Sequence, residues 1–392
     1  MHIKRIAESA LLGLLDSGKV VMVLGARQVG KTTLVEHVLG ARKAVFLNFD
    51  VELDKQRFLA AASLAPAAAL SSLGSPEVLV VDEAQRLPEA ARIVKGWHDA
   101  KLPVRLLLLG SSSLNLLSQA AESLTGRNAK LFLPPLLFAE SVRAQSWCAP
   151  EFTTAQVCRQ FAAPLRAALL QALAYGLYPE VVTTERKADL LRNLSSDYLW
   201  KDVLQTGLVK TPDLIKRLLL LLAHQAGQEV SIHELATQLH TARATIERYL
   251  DLLEQTFVIF RLPAYSTNPR KEICKSRKIF FWDTGIRNAL LNALSTDEWR
   301  PDIGALWENW VVAEAAKYNQ LYGGAAELFF WRSRAQSEVD LVIKTGQRLQ
   351  AFEIKWQARG QPGRAFQDLY GVPVQTLDAA NPFIGQAVFG DS

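Results

Sequence analysis

Over the first 150 positions, short apolar runs alternate with segments of helical period. KVVMVLG (19–25), AVFLNFD (44–50), EVLVVDE (77–83) and VRLLLLG (104–110) are rich in β-branched residues or leucine, and each ends at a glycine or a carboxylate. Between them lie KTTLVEHVL, the alanine-rich stretch Leu53 to Leu73, and Glu89 to Ala100, which read as helices. Strands that are apolar throughout must be covered on both faces. The alternation therefore predicts an α/β fold, a parallel sheet with helices on either side.

The pattern then changes twice. Residues 151–225 read as helical, most clearly at Leu165 to Leu173 and Asp189 to Trp200, with breaks at Gly176 and Pro179. In 231–262 two helices flank a short turn and lead into an apolar strand, a winged-helix outline. Ser231 and Glu234 have capping-box spacing, and Ile246, Leu250 and Leu253 share one helix face. From Lys278 onward, KIFFWDTGI reads as a strand ending in a turn, GALWENWVVAEAAKY (304–318) as a helix, and LFFWRS, EVDLVIK and RLQAFEIKW as successive strands. Six of the nine tryptophans fall between Trp282 and Trp356, which argues for a separate core there. The tail after Gly360 is rich in Gly, Pro and Gln, and little regular structure is expected of it. The expected organisation is a parallel-sheet α/β domain at 1–150, a helical linker or lid at 151–225, a winged-helix-like segment at 226–265 and a further α/β domain at 266–392.

Composition narrows the class. The 392 residues suffice for two to three domains, and with 49% hydrophobic and 21% charged residues the chain excludes extended disorder. The longest apolar runs, Val104 to Leu109 and Leu218 to Ala223, fall far short of the roughly 20 residues of a bilayer span. Glu8 and Asp16 interrupt the opening segment and no small-residue cleavage site follows, so the expected location is cytoplasmic, without membrane attachment. Cys148, Cys158 and Cys274 lack CxxC spacing, which fits free thiols in a reducing compartment and disfavours structural zinc. Net charge is only +5, yet residues 261–278 carry six basic residues against Glu272 alone. One segment thus holds a surplus equal to that of the whole chain.

The strongest chemical signal is Gly25-Ala26-Arg27-Gln28-Val29-Gly30-Lys31-Thr32, followed by Thr33. It satisfies G-x-x-x-x-G-K-[ST] and sits after a predicted strand and before a predicted helix, as a phosphate loop must. Its glycines let backbone N–H groups wrap the β-phosphate and the helix N-terminus adds partial positive charge. Lys31 supplies a point charge to the β/γ-phosphates and Thr32 a hydroxyl to Mg²⁺. In VLVVDEAQ, Asp82 is placed to help hold the Mg²⁺ of an ATP complex and Glu83 to polarise the attacking water. Ser111, in Gly110-Ser111-Ser112-Ser113, is a candidate to contact the γ-phosphate or orient that water. Arg127 is a candidate to reach phosphate in cis or across a subunit interface, and Arg27 a lesser one.

With these residues in view, the chain resembles bacterial and archaeal AAA-like ATPases that carry a C-terminal domain of unknown function, DUF4143. GARQVGKTTL, VLVVDEAQ, LLLLGSSSLNLL, SLTGR, YPEVV, KIFFWDTGI, GALWENWVVAE, EVDLVI and AFEIKW carry the likeness, in order, from about residue 20 to 356. The resemblance implies ATP binding by Gly30, Lys31 and Thr32 and hydrolysis by Asp82 and Glu83. It also makes a homo-oligomer plausible, because AAA-like sites are commonly completed by a neighbour's arginine.

Toward the C-terminus, Asp340 and Glu353-x-Lys355 on successive strands, with Glu308 on the preceding helix, look like the PD-(D/E)xK arrangement of restriction-endonuclease-like folds. Strand alternation puts Glu353 and Lys355 on one face, where carboxylates can gather around Mg²⁺ and the lysine can act on water. Val339 replaces the motif's proline. A salt-bridged structural face, or a nuclease relic used for binding, stays open beside an active nuclease. The winged-helix outline offers Arg243 and Arg248, and the basic stretch Arg270, Lys271, Lys275, Arg277 and Lys278, as DNA phosphate contacts. Glu247, Asp251 and Glu254 on the same helix would oppose them. His233 and His240 read as ordinary surface or core residues. The leading expectation is an Mg²⁺-dependent ATPase acting on or with DNA; the alternatives are an ATP-regulated nuclease and a switch with a protein partner.

Overall fold

A computed structural model of the chain describes residues 3–111, 124–195, 211–266, 277–333, 335–358 and 360–390. Two compact units result, one formed by residues 4–134 with 255–257, the other by the remainder. Among the described residues no helix is long and apolar enough to cross a membrane.

The first unit is built on five parallel strands, β1 (Val20–Leu24), β2 (Ala44–Asn48), β3 (Val78–Asp82), β4 (Arg105–Gly110) and β5 (Asn128–Phe132), in the order β2-β3-β4-β1-β5. All five residues of β1 are buried, as continuous apolarity requires of a strand held between β4 and β5. The stretch read as one helix from Leu53 to Leu73 is two, Glu52–Ala62 and Pro66–Ser72. Pro66 is the reason: it cannot continue a helix, and it forces Ala65 into an extended backbone (ψ 144°). Phe58 packs edge-on against Phe49 and Trp97, with ring centroids 5.1 Å apart in both pairs, closing the core on one face of the sheet.

Among the described residues of the second unit, the helices Phe138–Arg143, Thr154–Gln160, Ala162–Tyr175, Pro179–Thr183 and Lys187–Asn193 come first. The helix Pro212–His224, strand β6 (Glu229–Val230), helices Ile232–Gln238 and Arg243–Gln255, and strands β7 (Ile259–Pro263) and β8 (Arg277–Phe281) follow. The three strands form an antiparallel sheet in the order β6-β8-β7. Ser231 accepts a hydrogen bond from Glu234 N at 3.3 Å, the cap its spacing predicts. After β8 the chain does not simply turn, because Asp283 caps a helix, Thr284–Leu290, through the N–H groups of Gly285 and Ile286.

The helix Ile303–Leu321 leads into a four-stranded mixed sheet, β9 (Glu327–Arg332), β10 (Glu338–Thr345), β11 (Arg348–Ile354) and β12 (Val374–Leu377), in the order β12-β11-β10-β9. The first three form an antiparallel meander, and β12 runs parallel to β11 after the helix Ala365–Tyr370. The tail after Gly360 is therefore more ordered than its composition predicts. Phe366 packs edge-on against Trp331 and at a tilt against Tyr370 and Tyr265, an aromatic anchor that makes the segment part of the core.

Candidate functional site

The loop after β1 turns into the helix Lys31–Leu39 at the C-terminal end of the parallel sheet, where such sheets present ligands. Ala26 and Val29 bury their side chains, Arg27 is half-buried and Gln28 is exposed. A β-carbon on Gly25 would lie 2.1 Å from the Leu133 carbonyl oxygen, so only glycine fits that approach. Gln28 (φ 61°) and Gly30 (φ 89°) adopt left-handed backbone, which curls the loop and turns its amides inward. Arg5 braces the loop by donating to Val29 O at 3.0 Å and Pro134 O at 2.8 Å. Lys31 is buried, and its ammonium donates to Gly25 O and Ala26 O, each at 2.9 Å. Thr33, one residue beyond Thr32, is exposed.

Strands β3 and β4 complete the site. Thr32 donates from Oγ1 to Asp82 Oδ2 at 2.6 Å, and Asp82 Oδ1 accepts Glu83 N–H at 2.8 Å. Glu83 has left-handed backbone (φ 51°), which aims its carboxylate along the sheet edge toward β4. There it accepts from Gln85 Nε2 at 2.5 Å and from Ser111 Oγ at 3.4 Å, and Gln85 also reaches Ser111 Oγ at 3.1 Å. Ser111 is buried, whereas Ser112 and Ser113 lie outside the described residues. Gln85 Oε1 is buried with no hydrogen-bond partner among the described residues. Sequence reading missed Gln85, Arg5 and Arg86; the contacts become visible only once the strand order is known. Thr32 and Asp82 already touch, so a hydroxyl and a carboxylate suited to Mg²⁺ stand side by side.

The candidate arginines are placed less favourably. Arg27 Nη2 lies 3.8 Å from Asp50 Oδ2, a carboxylate it shares with Arg86 Nε at 2.9 Å. Arg127 pairs with Asp99 at 2.7 Å and lies beside Val20, where β1 begins. The five residues of β1 separate it from the loop by about 16 Å, so a reach to phosphate in cis is corrected.

A second polar cluster sits in the other unit. Glu353 Oε1 and Lys355 Nζ are 3.0 Å apart, on one side of the sheet as alternation predicts. Asp340 Oδ2 accepts Ile354 N–H at 2.7 Å. Glu308 joins them electrostatically, along with two residues the motif did not mark, Lys278 and Glu338. Glu338 is two positions before Asp340 on β10 and so shares its face, a signal the sequence did contain. Burial raises the Glu308 carboxyl to about 7, with Asp340 and Glu338 adding to the shift and Lys278 opposing it. Burial also raises Asp340, against the Ile354 N–H, Lys278 and Lys355.

Lys278, expected among the DNA contacts, is 3% exposed and closed in by Glu308 and Glu338, so that expectation is corrected. Arg243, Arg248 and Arg277 are exposed; Arg270, Lys271 and Lys275 lie outside the described residues. Arg261 donates to Glu254 at 2.8 Å and to Asp251 at 2.6 Å, so it neutralises two of the three carboxylates that would oppose phosphate on that helix.

An uncharacterized protein of Mycobacterium tuberculosis is 31% identical over 363 residues, covering 90% of this chain and 74% of that protein. Residues 17–142 match the family described as an AAA domain, 166–297 the domain of unknown function DUF8612, and 303–378 the domain of unknown function DUF4143. The chain belongs to the AAA-like family with a C-terminal DUF4143 domain. An uncharacterized protein of Methanocaldococcus jannaschii is similar at 25% identity over 346 residues, covering 83% of this chain and 72% of that one. In fold, the chain is similar to a Walker-type ATPase of Pyrococcus abyssi, with a TM-score of 0.53 at 15% identity over 74% of this chain and 96% of that chain.

Proposed function

We propose that the protein is an Mg²⁺-dependent ATP hydrolase whose turnover is linked to DNA. The observation that carries the first half is the Lys31 loop facing a Thr32–Asp82 pair and a Glu83 held by Gln85 and Ser111. In this reading the loop amides bind the β-phosphate, and Lys31 exchanges its carbonyl partners for β/γ-phosphate oxygens. Glu83 accepts a proton from the attacking water, with Ser111 and Gln85 fixing the carboxylate's direction. Mg²⁺, held by Thr32 and Asp82, supplies charge that offsets the phosphate oxygens.

For DNA, the support is the order helix, strand, helix, helix, strand, strand from Pro212 to Phe281, which is that of a winged helix. The segment between β7 and β8 carries Arg270, Lys271 and Lys275, half of the six basic residues of the 261–278 stretch, and exposed Arg243 and Arg248 lie on the second helix of the pair. Contacts of this kind are to phosphates and give nonspecific or structure-dependent binding. The test is ATP turnover with and without duplex, branched and single-stranded DNA. Stimulation by one of these forms, lost with ATP binding in Lys31→Ala, is the expected result; turnover indifferent to all of them refutes the DNA link.

A metal-dependent nuclease has the order helix, three antiparallel strands, helix, parallel strand from Ile303 to Leu377 in its favour. It further requires carboxylates open to a divalent cation. Its test is Mg²⁺- or Mn²⁺-dependent nicking abolished by Asp340→Ala.

A further inference from the structure

We propose that Lys278 is the resident cation of the C-terminal carboxylate cluster, occupying the place a divalent metal would need, so that this endonuclease-like domain is a metal-free scaffold. A hard dication requires several oxygens converging at about 2.0–2.6 Å with lone pairs directed at it. Here two of the oxygens converge on an ammonium instead, and two more are engaged within the strands. Glu308 Oε1 lies 2.8 Å and Glu338 Oε1 2.5 Å from Lys278 Nζ, Asp340 Oδ2 accepts Ile354 N–H at 2.7 Å, and Glu353 Oε1 lies 3.0 Å from Lys355 Nζ. Every carboxylate of the cluster thus has one oxygen engaged by the protein itself. Among the described residues no three Asp, Glu, His or Cys side chains are arranged to hold a metal ion.

Lys278 is also held where it is. Its backbone lies in register between Glu229 on β6 and Leu262 on β7, its side chain is 4% exposed, and its ammonium stands 5.5 Å from the centre of the Phe330 ring. Two carboxylates and an aromatic face accommodate its three N–H groups. Burial alone would lower its basicity, but Glu308 and Glu338 more than reverse that and keep it charged. A dication approaching Glu308 or Glu338 therefore meets a positive charge already paired with both carboxylates. The same lysine ties β8, the helix Ile303–Leu321 and β10 together, which gives the cluster a structural role at the strand following the basic segment.

The test is Mn²⁺ titration of the full-length, nucleotide-free protein, by calorimetry and by electron paramagnetic resonance. Wild type and Asp340→Asn are expected to take up Mn²⁺ identically, because any weak uptake at Thr32 and Asp82 is common to both. Lys278→Met is expected to gain one Mn²⁺ equivalent that Lys278→Met/Asp340→Asn loses again. Wild-type uptake that falls with Asp340→Asn overturns the proposal, as does a folded Lys278→Met that gains no site. Should Lys278→Met fail to fold, the comparison of wild type with Asp340→Asn decides by itself.

Discussion

Two buried lysines, Lys31 and Lys278, show how partners decide what an ammonium does. Lys31 donates to two backbone carbonyls of its own loop, which are neutral acceptors. Phosphate oxygens can replace them with no loss of hydrogen bonds and a gain in charge complementarity. Lys278 donates to two carboxylates, so its charge is already matched and any further ligand must break an ion pair. In the reading proposed above the first arrangement is a receptor and the second a fastening, although the residue type is the same and the degree of burial nearly so.

The largest expected effect lies beside Lys31. Glu83→Gln keeps the volume of the side chain but removes the proposed proton acceptor, so turnover should fall by about 10²- to 10⁴-fold with ATP affinity nearly unchanged. Single-turnover kinetics beside equilibrium nucleotide binding measure the two separately. A Glu83→Gln enzyme that keeps wild-type turnover would remove Glu83 from the chemistry and leave the loop as a binding site alone.

Next in size is the loss of the fastening. Lys278→Met leaves Glu308 and Glu338 facing each other with no cation between them. We expect it to cost about 3 kcal/mol of stability, the low end for a broken buried pair because the carboxylates keep some solvent contact. Urea denaturation at pH 8 reads the difference. An unchanged midpoint would mean that Lys278 stabilises nothing and that the contrast with Lys31 fails.

These two lysines also mark what could be read from the chain. Lys31 was legible because its partners are within a few residues, in a loop whose glycines, lysine and threonine have fixed spacing. The parallel sheet was legible for a related reason, since apolar runs buried on both faces leave a continuous trace. Lys278 reads as a surface cation in the sequence, because it ends a basic run and its partners are 30 and 60 positions away. Arg127 reads as a phosphate contact because its sequence position does not reveal at which end of the sheet β5 begins. Strand β12, four residues with only Leu377 buried, left no periodic signal and exists through its pairing with β11. Gln85 lay in plain view beside the acidic pair, but its role depends on β3 and β4 being neighbours.

Gln85 gives a smaller test on the Lys31 side. Its Nε2 reaches both Glu83 and Ser111, so Gln85→Ala should let the carboxylate swing and slow turnover about tenfold, roughly the worth of one hydrogen bond to a charged group. ATP affinity should stay within a factor of about two, since Gln85 is not on the loop or the Thr32–Asp82 pair. A matched loss in affinity and turnover would instead place Gln85 in nucleotide binding.

The smallest effect sharpens the Lys278 side. Glu308 is raised to about 7 from 4.5, so the folded protein holds that proton more tightly than the unfolded chain does. The stabilisation is complete below the unfolded value and is lost as pH rises through the folded one. Between pH 6 and 7 the decline should be about 1 kcal/mol. Glu308→Gln is neutral throughout and should flatten that part of the stability profile in urea melts at pH 6, 7 and 8. If its slope matches wild type, Glu308 is ionised across the whole window, its pairing with Lys278 is tighter than burial allows for, and the fastening is stronger still.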